Sequence, residues 1–288
     1  MPNRGYTKQL KATVRYIRKR TNLRPKILII LGSGLGEAAQ KIKEKAVLTF
    51  KDIPYFITPG TRTHEGKLIF GNFGTKPVMV MQGRCHVYEG YSASEVAYPV
   101  AVARELGAKI LITTSLCGGI NRRLGLGDFM VVKDHINLSL ENPLIGFGPK
   151  QDERKFLDLQ DAYSARLRIL LERAGASLKI KLKTGVLAYL TGPNFETTAE
   201  LRFLDKIGAD AVGWSMLAEV LMARYLGMKV MAISCISDLA YPDKPRPIDF
   251  WRIFDTGLKK AGLLEKLLFK FISFLSPFAE NHGCKPSG

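Results

Sequence analysis

The sequence predicts a single α/β domain, a large mixed or parallel β-sheet flanked by helices. Three observations carry this. Short β-branched or apolar runs alternate along the chain with helical patterns. Those helical patterns end in Gly just before the next apolar run, a common helix stop. No internal repeat, low-complexity tract or linker divides the 288 residues.

Residues 1–24 predict a basic N-terminal helix. KILIILG (26–32), KPVMVMQG (76–83), KILITTS (109–115), DFMVVKD (128–134), KTGVLAYLTG (183–192) and KVMAISCIS (229–237) predict strands. Their nearly continuous apolar character suits strands covered on both faces. ASEVAYPVAVARELGA (93–108), ETTAELRFLDKIGA (196–209) and LAEVLMARYLGM (217–228) predict helices. A last long helix spans 248–275, with Pro247 before it and Pro277 after it. Segment 140–160 has no clear period, and long loops in compact enzymes are often functional.

With 46% hydrophobic and 24% charged residues the chain is globular, not disordered or fibrous. Its cysteines (Cys85, Cys117, Cys235, Cys284) are widely spaced and form no CxxC pair, so neither a disulfide framework nor a metal site is expected. The N-terminus lacks the apolar run of a secretion signal, and no apolar stretch approaches the roughly 18 residues of a membrane span. A reduced, cytoplasmic protein without membrane contact is expected. The net charge of +17 admits nucleic-acid binding, since Arg15, Arg18, Lys19, Arg20, Arg24 and Lys26 crowd together. No nucleic-acid motif accompanies them, which favours a basic surface that draws in small anions. Nucleic acid is not expected as a partner.

Several segments can carry chemistry. LGSGLGE (31–37) follows the first strand; its glycines allow an anion-binding nest and Ser33 adds a hydroxyl. It matches neither G-x-G-x-x-G nor a nucleotide-binding P-loop, and a plain turn explains it equally well. MQGRCHVYEGY (81–91) places Arg84 and His86 two residues apart, on one side of an extended chain. Arg offers a forked donor set, His a second donor, Glu89 a partner for the imidazole and Tyr88 an aromatic face. A surface turn with an incidental ion pair is the alternative. TTSLCGGINRRLGLGD (113–128) lets a ligand approach backbone amides, including that of Leu116, or is simply a tight turn. TGPNFETTAE (191–200) pairs the ring of Phe195 with the carboxylate of Glu196, or caps a helix through Thr191 or Asn194 with Glu196 in its first turn. GWSMLAEV (213–220) follows, and SCISDLA (234–240) delivers Asp238 to a strand's carboxyl end, where ligands of open α/β sheets tend to bind. No metal cluster, nucleophilic triad or cofactor loop is evident.

In combination LGSGLG, HEGKLIFG, MQGRCHVYEGY, CGGINRRLGLGD, KDHINLSLENPLIG, GPNFET and GADAVGWSMLAEV resemble the purine nucleoside phosphorylases of the trimeric type, in the family's order from about residue 25 to 240. The resemblance implies a mixed-sheet α/β fold, a homotrimer and phosphorolysis of a purine nucleoside. Inorganic phosphate is then the co-substrate, with no cofactor and no metal. It implies that Ser33, His64, Arg84, His86, the amide of Leu116 and Ser215 hold phosphate. Tyr88, Trp214 and Phe250 would flank the sugar, with Phe156 reaching a neighbouring subunit's sugar site. Phe195, Glu196 and Asp238 would form the base site. His86, Glu89 and Asp238 stand nearest the chemistry.

Four departures bear on substrate. Asp238 stands where the 6-oxopurine enzymes carry Asn; an ionised carboxylate only accepts and suits a 6-amino group. Glu196 matches the 6-oxopurine enzymes, where it accepts from N1–H, and a protonated Asp238 would restore that reading. Trp214 replaces Met, Leu116–Cys117 replaces Ala-Ala, and Phe250 falls near the family's histidine for the sugar 5′-hydroxyl. A methylthioadenosine or adenosine-preferring phosphorylase is therefore the alternative, and a non-catalytic nucleoside or nucleic-acid binder the distant one.

Overall fold

A computed structural model of the protein describes residues 4–40, 42–148, 153, 156–244 and 247–275; residues 1–3, Pro277, Cys284 and part of the 140–160 segment lie outside them. At its centre is β1 (Ile27–Leu31), five consecutive apolar residues, all buried. Successive side chains of a strand leave by opposite faces. Leu28 and Ile30 thus enter one core, and Ile27, Ile29 and Leu31 a second. The first core is covered by α1 (Arg4–Arg18), α2 (Ala93–Leu106) and α5 (Leu217–Tyr225), through residues such as Ile17, Val100 and Val220. The second is covered by α3 (Ala165–Ser177) and α6 (Phe250–Phe274), through Leu171 and Leu268.

Parallel neighbours β4 (Lys76–Gln82) and β5 (Ile110–Gly119) flank β1. Beyond β4 the sheet continues as an antiparallel meander through β3 (Lys67–Phe73) to the edge strand β2 (Lys43–Thr49). On the other side β5 pairs with two strands, parallel to β9 (Lys229–Leu239) and antiparallel to β8 (Ala211–Gly213). β9 pairs antiparallel with β6 (Phe129–Asn137), β6 parallel with β7 (Leu182–Tyr189), and β7 parallel with β8. The pairings return to β5, so five strands close on themselves while the other four extend from β1 as an open wing. The mixed sheet agrees with the sequence reading; its closure is an addition. It turns where the β5–β9 register shifts between Cys117 and Gly118, since an irregularity of this kind bends a strand. A Cβ at Gly119 would stand 3.0 Å from Ile236 Cγ2, so only glycine lets the two strands approach this closely there.

Capping fixes the helices that border the site. Ser92 and Glu95 form a capping box on α2, which ends at Gly107 with φ 118°. α4 (Thr198–Lys206) is capped by Thr197 and Glu200. This corrects the expectation of a helix over 196–209 with Thr191 or Asn194 as cap: Glu200 is the capping carboxylate, which leaves Glu196 outside the helix. α6 starts at Phe250 behind the Asp249 cap. α1 ends at Arg18 rather than near 24, because the Arg18 guanidinium turns back to donate to Leu23 O (2.7 Å) and Leu106 O (2.9 Å). Among the described residues no helix is long and apolar enough to cross a membrane, and Cys85, Cys117 and Cys235 are free and buried.

Candidate active site

Since β1, β4, β5 and β9 run parallel, their carboxyl ends open on one side of the sheet, the side on which α/β proteins bind ligands. β1 delivers Ser33, β4 leads into Arg84, His86 and Tyr88, β5 supplies Leu116 and β9 supplies Asp238. The short β8 adds Trp214 and Ser215, and the segment before α4 adds Phe195 and Glu196. A cavity of about 170 Å³ is lined by Ser33, His86, Tyr88, Leu116, Phe195, Glu196, Trp214, Ser215, Asp238 and Phe250. His64, Arg84, Glu89 and Phe156 do not line it. Sequence reasoning missed Thr198, Tyr241, Ile253 and Phe254 on its wall. The spacing of Phe250, Ile253 and Phe254 on one helical face was the legible signal for two of these.

One end of the cavity is a hydroxyl and imidazole cluster. Ser33 Oγ lies 3.0 Å from His64 Nε2 and 3.4 Å from Thr63 Oγ1. His86 Nε2 lies 3.0 Å from Ser215 Oγ, and His86 Nδ1 lies 3.2 Å from Glu89 Oε1. The two imidazoles are 5.1 Å apart, and His86 stacks on Tyr88 at 4.6 Å. Burial pulls both histidines below the ordinary imidazole value, His64 strongly so, with each other's neighbourhood and Arg84 adding to the effect on His64. Burial alone would push the Glu89 carboxyl up, but hydrogen bonds from His86 and from the Gly60 and His86 amides outweigh it and hold the carboxyl below the usual range. An ionised Glu89 only accepts. The His86 proton therefore sits on Nδ1, and neutral Nε2 accepts from the Ser215 hydroxyl. An incoming anion would be met by donors once His86 gains a second proton.

The backbone around this cluster is tightly constrained. A Cβ at Gly32 would come 2.9 Å from Thr114 O, and one at Gly34, where φ is 69°, would come 2.7 Å from Phe254 O of α6. Met216, directly after Ser215, holds φ 84° although it has a side chain. Such left-handed non-glycine residues cluster at functional sites, where the surrounding structure imposes them.

Arg84 departs from expectation. It is 1% exposed and does not line the cavity with His86. Nη2 donates to Thr114 O (2.6 Å) and Thr113 Oγ1 (3.0 Å), and Nη1 faces Glu219 Oε1 at 3.5 Å. Burial lowers its pKa while Glu219 opposes that. Nε and Nη1 make no hydrogen bond among the described residues. Phe156 is 79% exposed and away from the cavity of its own chain.

The opposite end carries carboxylates and rings. Trp214 Nε1–H donates to Glu196 Oε1 at 3.1 Å, and its ring meets Phe195 at 4.8 Å and Tyr88 at 5.9 Å. Burial raises the Glu196 pKa, Trp214 counters it, and Glu200 and Asp238 push it further up. The cavity thus joins donors for an anion to a stacking wall and two carboxylates for a polar heterocycle. Among the described residues no group of His, Cys, Asp or Glu forms a metal site. Ser215, His86 and Glu89 are hydrogen-bonded in that order, the connectivity of a serine hydrolase relay.

The family model described as the phosphorylase superfamily matches residues 26–273. The purine nucleoside phosphorylase 1 of Bacillus subtilis is 42% identical over 242 residues, covering 84% of this chain and 89% of that protein. A Schistosoma mansoni purine nucleoside phosphorylase solved in complex with adenosine superposes with a TM-score of 0.88 at 36% identity, over 94% of this chain and 98% of that one. Its complex with inosine gives 0.87 at 35% identity, over 94% and 97%.

Proposed function

The chain belongs to the phosphorylase superfamily, and within it we propose that the protein is a purine nucleoside phosphorylase, a pentosyltransferase of nucleoside metabolism. It cleaves the N-glycosidic bond of purine ribo- and deoxyribonucleosides with inorganic phosphate. The observation that carries this reading is the two-ended cavity: the Ser33, His86 and Ser215 donors at one end face the Phe195, Glu196 and Asp238 wall at the other. A nucleoside bridging these ends puts its sugar between them, beside Tyr88 and Phe250.

A phosphate oxygen attacks C1′ as the C1′–N9 bond breaks, that electron pair leaves with the purine, and the purine takes up the proton that the hydrogen phosphate gives up. Sugar 1-phosphate and free base are the products. No enzyme nucleophile is needed, so the work of the chain is to hold the reactants in line and to stabilise developing charge. The Ser33 and Ser215 hydroxyls donate to the anion, joined by His86 as it takes up a proton. Glu89 fixes the imidazole. His64 supports Ser33, and Arg84 contributes its positive field from behind, partly offset by the Glu219 carboxylate 3.5 Å from Nη1. The basic surface, +17 overall, steers both anionic reactant and product.

The assembly proposed is a homotrimer in the cytoplasm. An interface between copies is supported by large apolar side chains left in solvent after β6, among them Leu140 at 89% and Ile145 at 77% exposure together with Phe156. On this reading Phe156 completes a neighbour's sugar site.

Product analysis with inosine, guanosine, adenosine and methylthioadenosine, each with and without phosphate, tests the proposal. Free base is expected only with phosphate. Equal release without it would assign the Ser215–His86–Glu89 relay a hydrolytic role instead. The methylthioadenosine arm addresses a second substrate reading, since Phe250 on the cavity wall offers the sugar an apolar contact.

A further inference from the structure

Glu196 precedes the first turn of α4, so no helical hydrogen bonds fix its backbone, and a free carboxylate there would have to be ordered by each ligand that binds. Trp214 removes that requirement. Its Nε1–H holds Glu196 Oε1 at 3.1 Å, and its ring lies against Phe195 and the edge of Tyr88. The same ring rests on the backbone of Gly192, where a Cβ would stand 2.8 Å from Trp214 Cδ2 and where φ is 73°. One side chain thereby clamps both ends of the 192–196 segment against the cavity.

We propose that Trp214 is the positioning residue of the base-reading carboxylate: its indole N–H fixes one oxygen of Glu196 and leaves the other as a single acceptor aimed at the heterocycle. The resemblance to the family implied only a sugar contact at this position. The inference rests on the phosphorolytic reading for its kinetic consequences, though not for the geometry. Removing the N–H leaves the forces that oppose ionisation of Glu196, namely burial and the neighbouring carboxylates Glu200 and Asp238, without their main counterweight. Tyr88, Tyr241, His86 and Cys117 are the other titratable groups on the cavity wall.

Trp214→Phe retains a ring over Gly192 and deletes the donor. The acid limb of kcat/KM for inosine is expected to move up by about one pH unit, as loss of a hydrogen bond to a charged group requires. In the Glu196→Gln background the substitution should move no limb. A limb that stays in place overturns the proposal. A second measurement needs no substrate and survives failure of the phosphorolytic reading. Trp251 lies outside the cavity, so in Trp251→Phe the fluorescence reports Trp214 alone. It should titrate with a midpoint above the ordinary carboxylate range, and Glu196→Gln should abolish that titration. A titration unchanged by Glu196→Gln contradicts the contact.

Discussion

Asp238→Asn should raise the ratio of kcat/KM for 6-oxopurine over 6-aminopurine nucleosides by about 10- to 100-fold. Asp238 lies on the cavity wall with Glu196, and a carboxylate can only accept. It suits an exocyclic amino group and opposes a carbonyl oxygen or bare ring nitrogen, whereas the amide of Asn can donate to either. An unpaired polar group in a dry site costs about 1–3 kcal/mol, which sets the size of the switch. A second effect acts in the same direction. Asp238 is among the groups that push the Glu196 pKa up, so removing its charge favours the ionised Glu196 that accepts from an N1–H. Parallel kinetics with inosine and adenosine on wild type and variant check this. A ratio changed less than about twofold would mean that Asp238 does not read the base.

His86→Ala is expected to lower kcat/KM for phosphate by about 10²- to 10³-fold, the usual effect of removing one donor from a charge-stabilising site. The loss is not confined to one hydrogen bond. Ser215 Oγ and Glu89 Oε1 both lose the imidazole that joins them, and Tyr88 loses its stacking partner. The effect should be carried mainly by phosphate, because His86 is bonded into the hydroxyl cluster through Ser215. A variant whose saturation by phosphate is unchanged within about threefold would remove His86 from the anion site.

How much of this the chain disclosed in advance varies element by element. Apolar runs such as 26–32 and 229–237 announce strands buried on both faces, and Gly107 marks the end of α2 directly. The motif segments also fell where they could be read, because parallel strands gather their carboxyl ends whatever the details of packing. β2 was not legible: KEKAVLT is half charged, as an edge strand can be, and its apolar side chains show too short a pattern. α3 was legible and overlooked, since Leu167, Leu171 and Ala174 keep helical spacing. Closure of β5 through β9 could not be read locally, because it depends on strands about 120 residues apart in sequence meeting at Gly118 and Gly119. The same holds within the site. Two residues apart in an extended segment, Arg84 and His86 were expected side by side. Burial against Thr113, Thr114 and Glu219 draws the arginine inward, a demand made by other strands. The bond between Trp214 and Glu196 joins two segments that sequence reading had assigned to different parts of the substrate.

The central claim is that phosphate itself attacks the sugar, and the oxygen bound to C1′ records the attacker. Inosine is turned over in ¹⁸O-labelled phosphate and ordinary water, and the sugar phosphate is weighed. The account predicts a sugar 1-phosphate that keeps every labelled oxygen, including the one bonded to C1′. Free sugar carrying a water oxygen, formed at the same rate whether or not phosphate is present, would contradict it.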